Sequence, residues 1–103
     1  MWQVKQLPEA TVITSSGDDR VAAYLTDLVY CFGEPTHNYT TTSDGDSEVE
    51  FSWKMKFSKD GEPDVYACVW GVFNKHPIHL KSWTVNGDPI ASSLIKQFLD
   101  GVQ

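Results

Sequence analysis

The chain has 103 residues, which is the size of one ordinary domain. Its eight Lys and Arg residues are outnumbered by fourteen Asp and Glu residues, giving a formal net charge of -6. That balance argues against a protein that binds nucleic acid directly, since such proteins normally carry a basic patch. No apolar run approaches the roughly 18 residues that span a bilayer, and no secretory signal precedes the first elements. We therefore expect one cytoplasmic domain over residues 1–103, with no membrane contact.

The N-terminal third predicts a weak strand at residues 10–15 and then a helix. Asp18 and Asp19 favour a helix start, since carboxylates there cap the free amides and face the positive end of the helix dipole. Gly33 ends the helix. Apolar residues recur at helical spacing on one face: Val21, Tyr24, Leu25, Leu28, Val29 and Phe32. Tyr30 points to the opposite side, where the helix meets water.

The central part of the chain predicts a set of antiparallel strands. Residues 36–42 are β-branched and aromatic enough for an edge strand, and residues 43–48 form a polar loop. Residues 49–58 alternate strictly between apolar and polar side chains, as a half-buried strand does. Asp60-Gly61 is a strong signal for a two-residue hairpin turn into a further strand at residues 65–73.

These turns define a register. With Asp60-Gly61 as the turn, Trp53 faces Cys68. With a four-residue loop at 74–77, Cys68 faces Trp83 on a strand at residues 78–85. The same register places Ala67 and Val69 on the opposite face, with Ser52 and Lys54.

The C-terminal segment predicts a second helix. Asp88 would be its N-cap and Pro89 its first residue, with Gly101 closing it. Its buried side consists of Ile90, Leu94, Ile95 and Phe98. The fold class that follows is α+β, an antiparallel β-meander of about four strands with two helices packed on the aromatic face.

No constellation of residues predicts catalysis, a metal or another cofactor. His76 and His79 are three residues apart, but no second pair has the spacing of metal ligands. The acidic residues from Asp44 resemble a calcium loop, yet the sixth position is Val49 and the twelfth is Met55. Cys31 and His37 could form a nucleophile and base, but no cysteine-enzyme signature surrounds them. We expect Cys31 and Cys68 to be reduced, packed thiols in a protein that is not an enzyme.

The aromatic residues favour a protein interface instead. One small sheet does not need all five of the aromatic residues Trp2, Tyr30, Tyr39, Trp70 and Phe73. Tyr and Trp are the usual anchors of interfaces. Trp70 would lie at the margin of the sheet, near Lys81. The residues that we predict to contact a partner are Tyr30, Trp70, Lys81, Asp44, Asp46 and Glu48.

Three segments of the chain together resemble a known group of small proteins. Phe32-Gly33-Glu34-Pro35 ends the first helix, an alternating strand surrounds Trp53, and Trp83-Thr84-Val85-Asn86-Gly87 precedes a short terminal helix. With these features the chain resembles small phage-encoded accessory proteins of unassigned function, over roughly residues 25–100. Asn86-Gly87 stands where a glycine-rich turn is expected. The resemblance implies a phage accessory protein and carries over no catalytic residue; such proteins often bind and block a host or defence protein.

The leading interpretation is a phage-type binding protein that inhibits or redirects a bacterial host or defence protein in the host cytoplasm. One alternative is an acidic nucleic-acid mimic that uses the loop around Asp44 to block a DNA- or RNA-binding protein. A third is a protein that sequesters a small ligand such as a nucleotide. We also expect a homodimer, formed through the polar sheet face or through an open edge at residues 36–42.

Overall fold

The computed structural model describes residues 1–14, 18–43 and 46–101, and for residues 42, 43 and 46 it describes the backbone only. Within these ranges six antiparallel strands form one sheet: β1 (Gln3–Gln6), β2 (Asp19–Ala23), β3 (His37–Ser43), β4 (Asp46–Ser58), β5 (Val65–Phe73) and β6 (Lys81–Gly87). Two helices complete the fold, α1 (Leu25–Phe32) and α2 (Ala91–Asp100). Neither of these two helices has the length and apolar character needed to cross a membrane.

The strand order is β1-β4-β5-β6-β2, and β3 pairs with β4 on the same side as β1. Both helices pack on one face of this sheet. The buried residues of that face and of the helices form one core, in which Trp53, Met55, Phe57, Val69 and Trp83 are fully buried. The expected α+β class and the one-sided helix packing are therefore confirmed, with six strands where about four were expected.

The segment that precedes α1 is a strand and not the first turns of a helix. Residues 19–23 pair with β6, with Val21 opposite Trp83. Val21 and Ala23 are buried while their neighbours are exposed. The prediction of a helix start at Asp18 and Asp19 is therefore wrong. Val21 and Ala23 fit the alternation of a strand as well as the spacing of a helix, and pairing with β6 selects the strand.

The predicted hairpin register is wrong by one residue. Asp60-Gly61 does form a tight turn, closed by a 3.1 Å hydrogen bond from Glu62 N to Lys59 O. Pairing resumes only at Phe57 and Val65, after Pro63 and Asp64, so Trp53 faces Val69 and not Cys68. Because side chains alternate along a strand, this shift exchanges the two faces of β5. Tyr66, Cys68 and Trp70 thus lie on the face that carries no helix.

The second hairpin also differs from its prediction. Residues 74–80 form an irregular loop in which Pro77 is buried, and β6 begins only at Lys81. Cys68 is consequently opposite Asn86, not Trp83. The rings of Phe73 and His76 explain the longer loop: they pack at 4.9 Å from Trp83 and 5.7 Å from Phe51, so the chain folds back over the core before β6 starts.

Three further boundaries need correction. The weak strand expected from residue 10 is absent at residues 10–14, and residue 15 lies outside the described ranges. Of the polar loop expected at 43–48, Ser43 belongs to β3 and residues 46–48 belong to β4, and residues 44 and 45 lie outside the described ranges. Asp88 is not a helix N-cap: α2 begins at Ala91, and the Asp88 carboxylate accepts a 2.8 Å hydrogen bond from Tyr66 N.

Other parts of the prediction are confirmed. Residues 37–43 form a strand at one edge, β4 alternates as expected, and Gly33 ends α1 with a positive φ of 84°. Leu94 and Ile95 are buried on α2, whereas Ile90 precedes that helix and is exposed.

Two buried tryptophans fix α1 on the sheet. Trp83 Nε1 donates a 3.0 Å hydrogen bond to Ala23 O, just before α1, and Trp53 Nε1 donates a 2.9 Å bond to Gly33 O, just after it. The two rings meet edge to face at 5.6 Å. Each end of the helix segment is therefore held by an indole N–H from the centre of the sheet.

This arrangement predicts the effect of removing one donor. We expect Trp53→Phe to lower the free energy of unfolding by about 2–4 kcal/mol, because it leaves the Gly33 carbonyl without its partner and opens a small cavity. Trp70→Phe is the matched control on the other face, with an expected loss below about 1.5 kcal/mol. Urea unfolding followed by circular dichroism measures both. Equal losses would contradict the role given to the Trp53 indole N–H.

Candidate functional site

A cavity that is wide open to solvent lies where the N-terminal residues, the ends of both helices and the β4–β5 loop meet. It has a volume of about 760 Å³ and a mainly apolar wall. We call it the aromatic groove; it is lined by Met1, Trp2, Tyr30, Cys31, Lys59, Gln97, Phe98 and Gly101. Concave, largely apolar sites of this size with a few polar groups are typical of binding sites.

The core sets the position of each aromatic side chain in the groove. Phe98 of α2 lies 5.9 Å from Phe32 and 5.4 Å from Phe57, so its ring is anchored in the core and only partly exposed. Trp2 precedes β1, whose pairing of Val4 with Phe57 brings it beside the β4–β5 loop. There the Lys59 ammonium lies 5.8 Å from the Trp2 ring centroid, within range of a cation–π interaction.

Tyr30 is the exposed member of the groove. It lies on the solvent side of α1, as the helical pattern predicts, with 79% of its surface exposed. The half-buried rings of Trp2 and Phe98 line the same cavity. A protruding phenol beside fixed apolar walls can bind a partner through both its ring and its hydroxyl.

Cys31 lies in the wall of the groove and links α1 to α2 through a hydrogen bond. Its Sγ donates a 3.3 Å hydrogen bond to Phe98 O. Burial raises the pKa of this thiol, and the Asp27 carboxylate raises it further. The sulfur therefore stays protonated at neutral pH and supports packing. His37 is elsewhere, on the helix-free face beside Glu9, so the two residues considered as nucleophile and base do not meet.

The structure does not bring the predicted partner-binding residues together. Trp70 lies in the central strand β5, not at the margin of the sheet, and its Nε1 donates a 2.6 Å hydrogen bond to Asn86 Oδ1. It faces away from the helices and hence from Tyr30. Lys81 begins β6 and lines a separate cavity of about 530 Å³ beside the loop at 74–79. These three residues belong to different surfaces.

The acidic residues lie at one end of the sheet. Val49 is the most N-terminal β4 residue that pairs with β5, and its partner there is Phe73. The part of β4 before Val49 therefore pairs with β3 alone. Glu48 is exposed in this two-stranded extension, opposite Thr41. The Asp46 backbone pairs with Ser43, and Asp44 lies outside the described residues.

Sequence reasoning missed most of the groove. Trp2 could be singled out as a surplus aromatic residue, but nothing in its neighbourhood indicated a partner. Lys59 flanks the predicted Asp60-Gly61 turn, and Phe98 is predicted on the buried side of the second helix. Trp2 reaches Lys59 and Phe98 because β1 pairs with β4, whose paired residues lie about fifty positions further along the chain. Among described residues, no group of three or more His, Cys, Asp or Glu side chains could hold a metal ion.

Comparison of the chain with protein-family models, with curated proteins and with solved structures finds no match.

The raised pKa of Cys31 gives a measurable pH dependence. Because the folded thiol ionises at higher pH than an unfolded one, alkylation of Cys31 by iodoacetamide should be slower than in urea and should accelerate at higher pH. Asp27→Asn removes the second cause, so we expect a faster reaction at a given pH, roughly two- to fivefold. Mass spectrometry of the Cys31 peptide measures the rate, with Glu62→Gln as control. An unchanged rate in Asp27→Asn would contradict the electrostatic contribution.

Proposed function

We propose that this protein is a non-enzymatic binding protein of phage type that inhibits or redirects a bacterial host or defence protein by direct contact in the host cytoplasm. The aromatic groove is its main contact surface. The partner inserts an apolar segment against Trp2 and Phe98, while Tyr30 packs over it. One observation carries this proposal: Tyr30 is 79% exposed at the rim of a cavity of about 760 Å³.

Several features of the groove support a protein partner. Interfaces concentrate their binding energy in a few aromatic or Arg residues that lie near apolar pockets. The groove supplies Tyr30 as such a residue, and the core holds the rings beside it. Little side-chain freedom is therefore lost on binding. Lys59 at the edge can pair with a carboxylate next to the apolar segment.

The acidic extension supports a second candidate function, the nucleic-acid mimic. Glu48 projects from a two-stranded extension that continues past the end of β5, and Asp44 and Asp46 are its neighbours in sequence. Carboxylates on a projecting hairpin can occupy a channel that normally holds phosphates. In this alternative the groove contributes little to binding.

We extend the proposal to self-association. Among the described strands β3 pairs only with β4, so its outer edge is open for a second copy. The polar sheet face is a less suitable surface, because residues 9–13 lie across its centre.

The first experiment measures what the protein binds and through which surface. The tagged protein is used to capture partners from nuclease-treated bacterial lysate, alongside Tyr30→Ala and Tyr24→Ala. Tyr24 is a matched control, since it is also exposed, lies at the other end of α1 and is not part of the groove. We expect one stoichiometric protein, with recovery reduced about tenfold or more by Tyr30→Ala and retained by Tyr24→Ala.

The same capture distinguishes the alternatives. Replacing Asp44, Asp46 and Glu48 by Lys should abolish binding by a mimic and leave a groove-bound partner largely retained. Loss in the Lys variant with full recovery in Tyr30→Ala would overturn the groove proposal. If no protein is captured, a thermal-shift series with nucleotides tests the small-ligand interpretation, and stabilisation there would replace the proposal.

A further inference from the structure

The connection between β1 and β2 crosses the helix-free face of the sheet. β1 lies on one side of β4, and β2 lies at the far edge beside β6. Lys54, Cys68 and Asn86 are directly opposite one another on the three strands between them and form a row across the face. Residues 9–13 lie over this row, and beyond it Asn86 Nδ2 donates a hydrogen bond to Asp18 Oδ1. We call residues 8–13 the strap.

One lysine makes most of the polar contact between the strap and the sheet. Lys54 Nζ donates hydrogen bonds to Glu9 O and, at 2.8 Å, to Thr11 O. The strap is itself turned by a 3.0 Å bond from Thr11 N to Pro8 O, which aims both carbonyls at the ammonium. A second tie joins Glu9 Oε1 to His37 Nδ1 at 2.6 Å.

The strap packs on the sheet only in part, because Thr11 and Ile13 are half-buried while its other four residues are exposed. A cavity of about 550 Å³ lies among residues 9–13, Lys54, Cys68 and Asn86. Val12 is 88% exposed, so its side chain adds almost nothing to the core. No residue from 8 to 13 belongs to a strand. The strap can therefore leave the face without breaking the pairing of β1 or β2 with the rest of the sheet.

We propose that the strap opens and closes over the helix-free face and that Lys54 is the latch that holds it closed. In the closed state the Lys54 ammonium binds the strap carbonyls, and Cys68 is half-buried beside the strap. In the open state a thiol and an ammonium stand side by side on an accessible sheet surface. The strap thus gates a polar site that is distinct from the aromatic groove.

The gate is tested through the accessibility of Cys68. The probe is 5,5′-dithiobis(2-nitrobenzoate), used on the full chain with Cys31→Ala as background. The Cys68 thiolate attacks one sulfur of the reagent's disulfide, a mixed disulfide forms, and the coloured thionitrobenzoate leaves. We expect Lys54→Met, which keeps the aliphatic stem and removes the donors, to react about tenfold faster or more.

The loss of the Lys54 charge and the opening of the strap change the rate of Cys68 modification in opposite directions, so the measured rate distinguishes them. Burial raises the pKa of the Cys68 thiol, and the charge of Lys54 partly lowers it. Removing that charge alone would leave less thiolate and slow the reaction. A faster reaction of Lys54→Met therefore measures access to the thiol.

Two control variants complete the design. Lys56→Met removes a lysine two residues along β4 on the same face, and Lys54→Arg keeps a donor at the latch; both should react within about twofold of the parent. Hydrogen exchange should increase in residues 8–13 of Lys54→Met and stay unchanged in β4. An unchanged rate in Lys54→Met, or an equal rise in Lys56→Met, would overturn the proposal.

If Lys54→Met does not fold, His37→Ala removes the second tie and carries the test. It should also accelerate the reaction of Cys68, to a smaller extent, while the urea midpoint stays near that of the parent. No acceleration in His37→Ala would then overturn the proposal. A failure of the gate leaves the groove proposal untouched, because Tyr30 and Cys68 lie on opposite faces.

Discussion

The fold depends on two indole N–H groups in the middle of the sheet. Trp53 and Trp83 are fully buried, and a buried indole must find an acceptor for its single donor. Both find backbone carbonyls at the two ends of the α1 segment, Gly33 and Ala23. This fixes the helix along the sheet and places Tyr30 at the groove. Gln6 of β1 reinforces the arrangement by donating to Phe32 O, so the edge strand and the helix end are held together.

The number of residues in each loop determines which side chains are available for function. The alternation of β4 is plain in the sequence, and the structure confirms it. The length of the loop after Ser58 determines which side chains of β5 point to the core. The Asp60-Gly61 turn predicts a shorter loop than the structure has, because Pro63 and Asp64 also belong to the loop. A strand of nearly continuous apolar residues such as VYACVWGVF carries no alternation that could have corrected the choice. Trp70 and Cys68 were consequently assigned to the wrong face.

The candidate site was predictable only where local patterning determines it. The exposure of Tyr30 follows from its angle on a helix, and the structure confirms it. Trp2, Lys59 and Phe98 meet through a four-residue edge strand, QVKQ, whose polar composition gives little signal of pairing. The contacts of Lys54 with the strap were equally hidden, since they join residues more than forty positions apart. Sequence patterns indicate which side chains protrude but not which distant ones they meet.

The crossing connection also sets the order in which the chain can assemble. β3, β4, β5 and β6 are joined by successive hairpins, so each can form from neighbours that are already close along the chain. β1 must wait for β4, and β2 must wait for β6, which follows the other described strands in chain order. During synthesis β1 therefore remains without its partner until residue 58 has emerged, and β2 remains without its partner until β6 has emerged. Trp2, Val21 and the start of α1 are exposed in that interval, which makes the N-terminal quarter the part of the nascent chain that chaperones would protect.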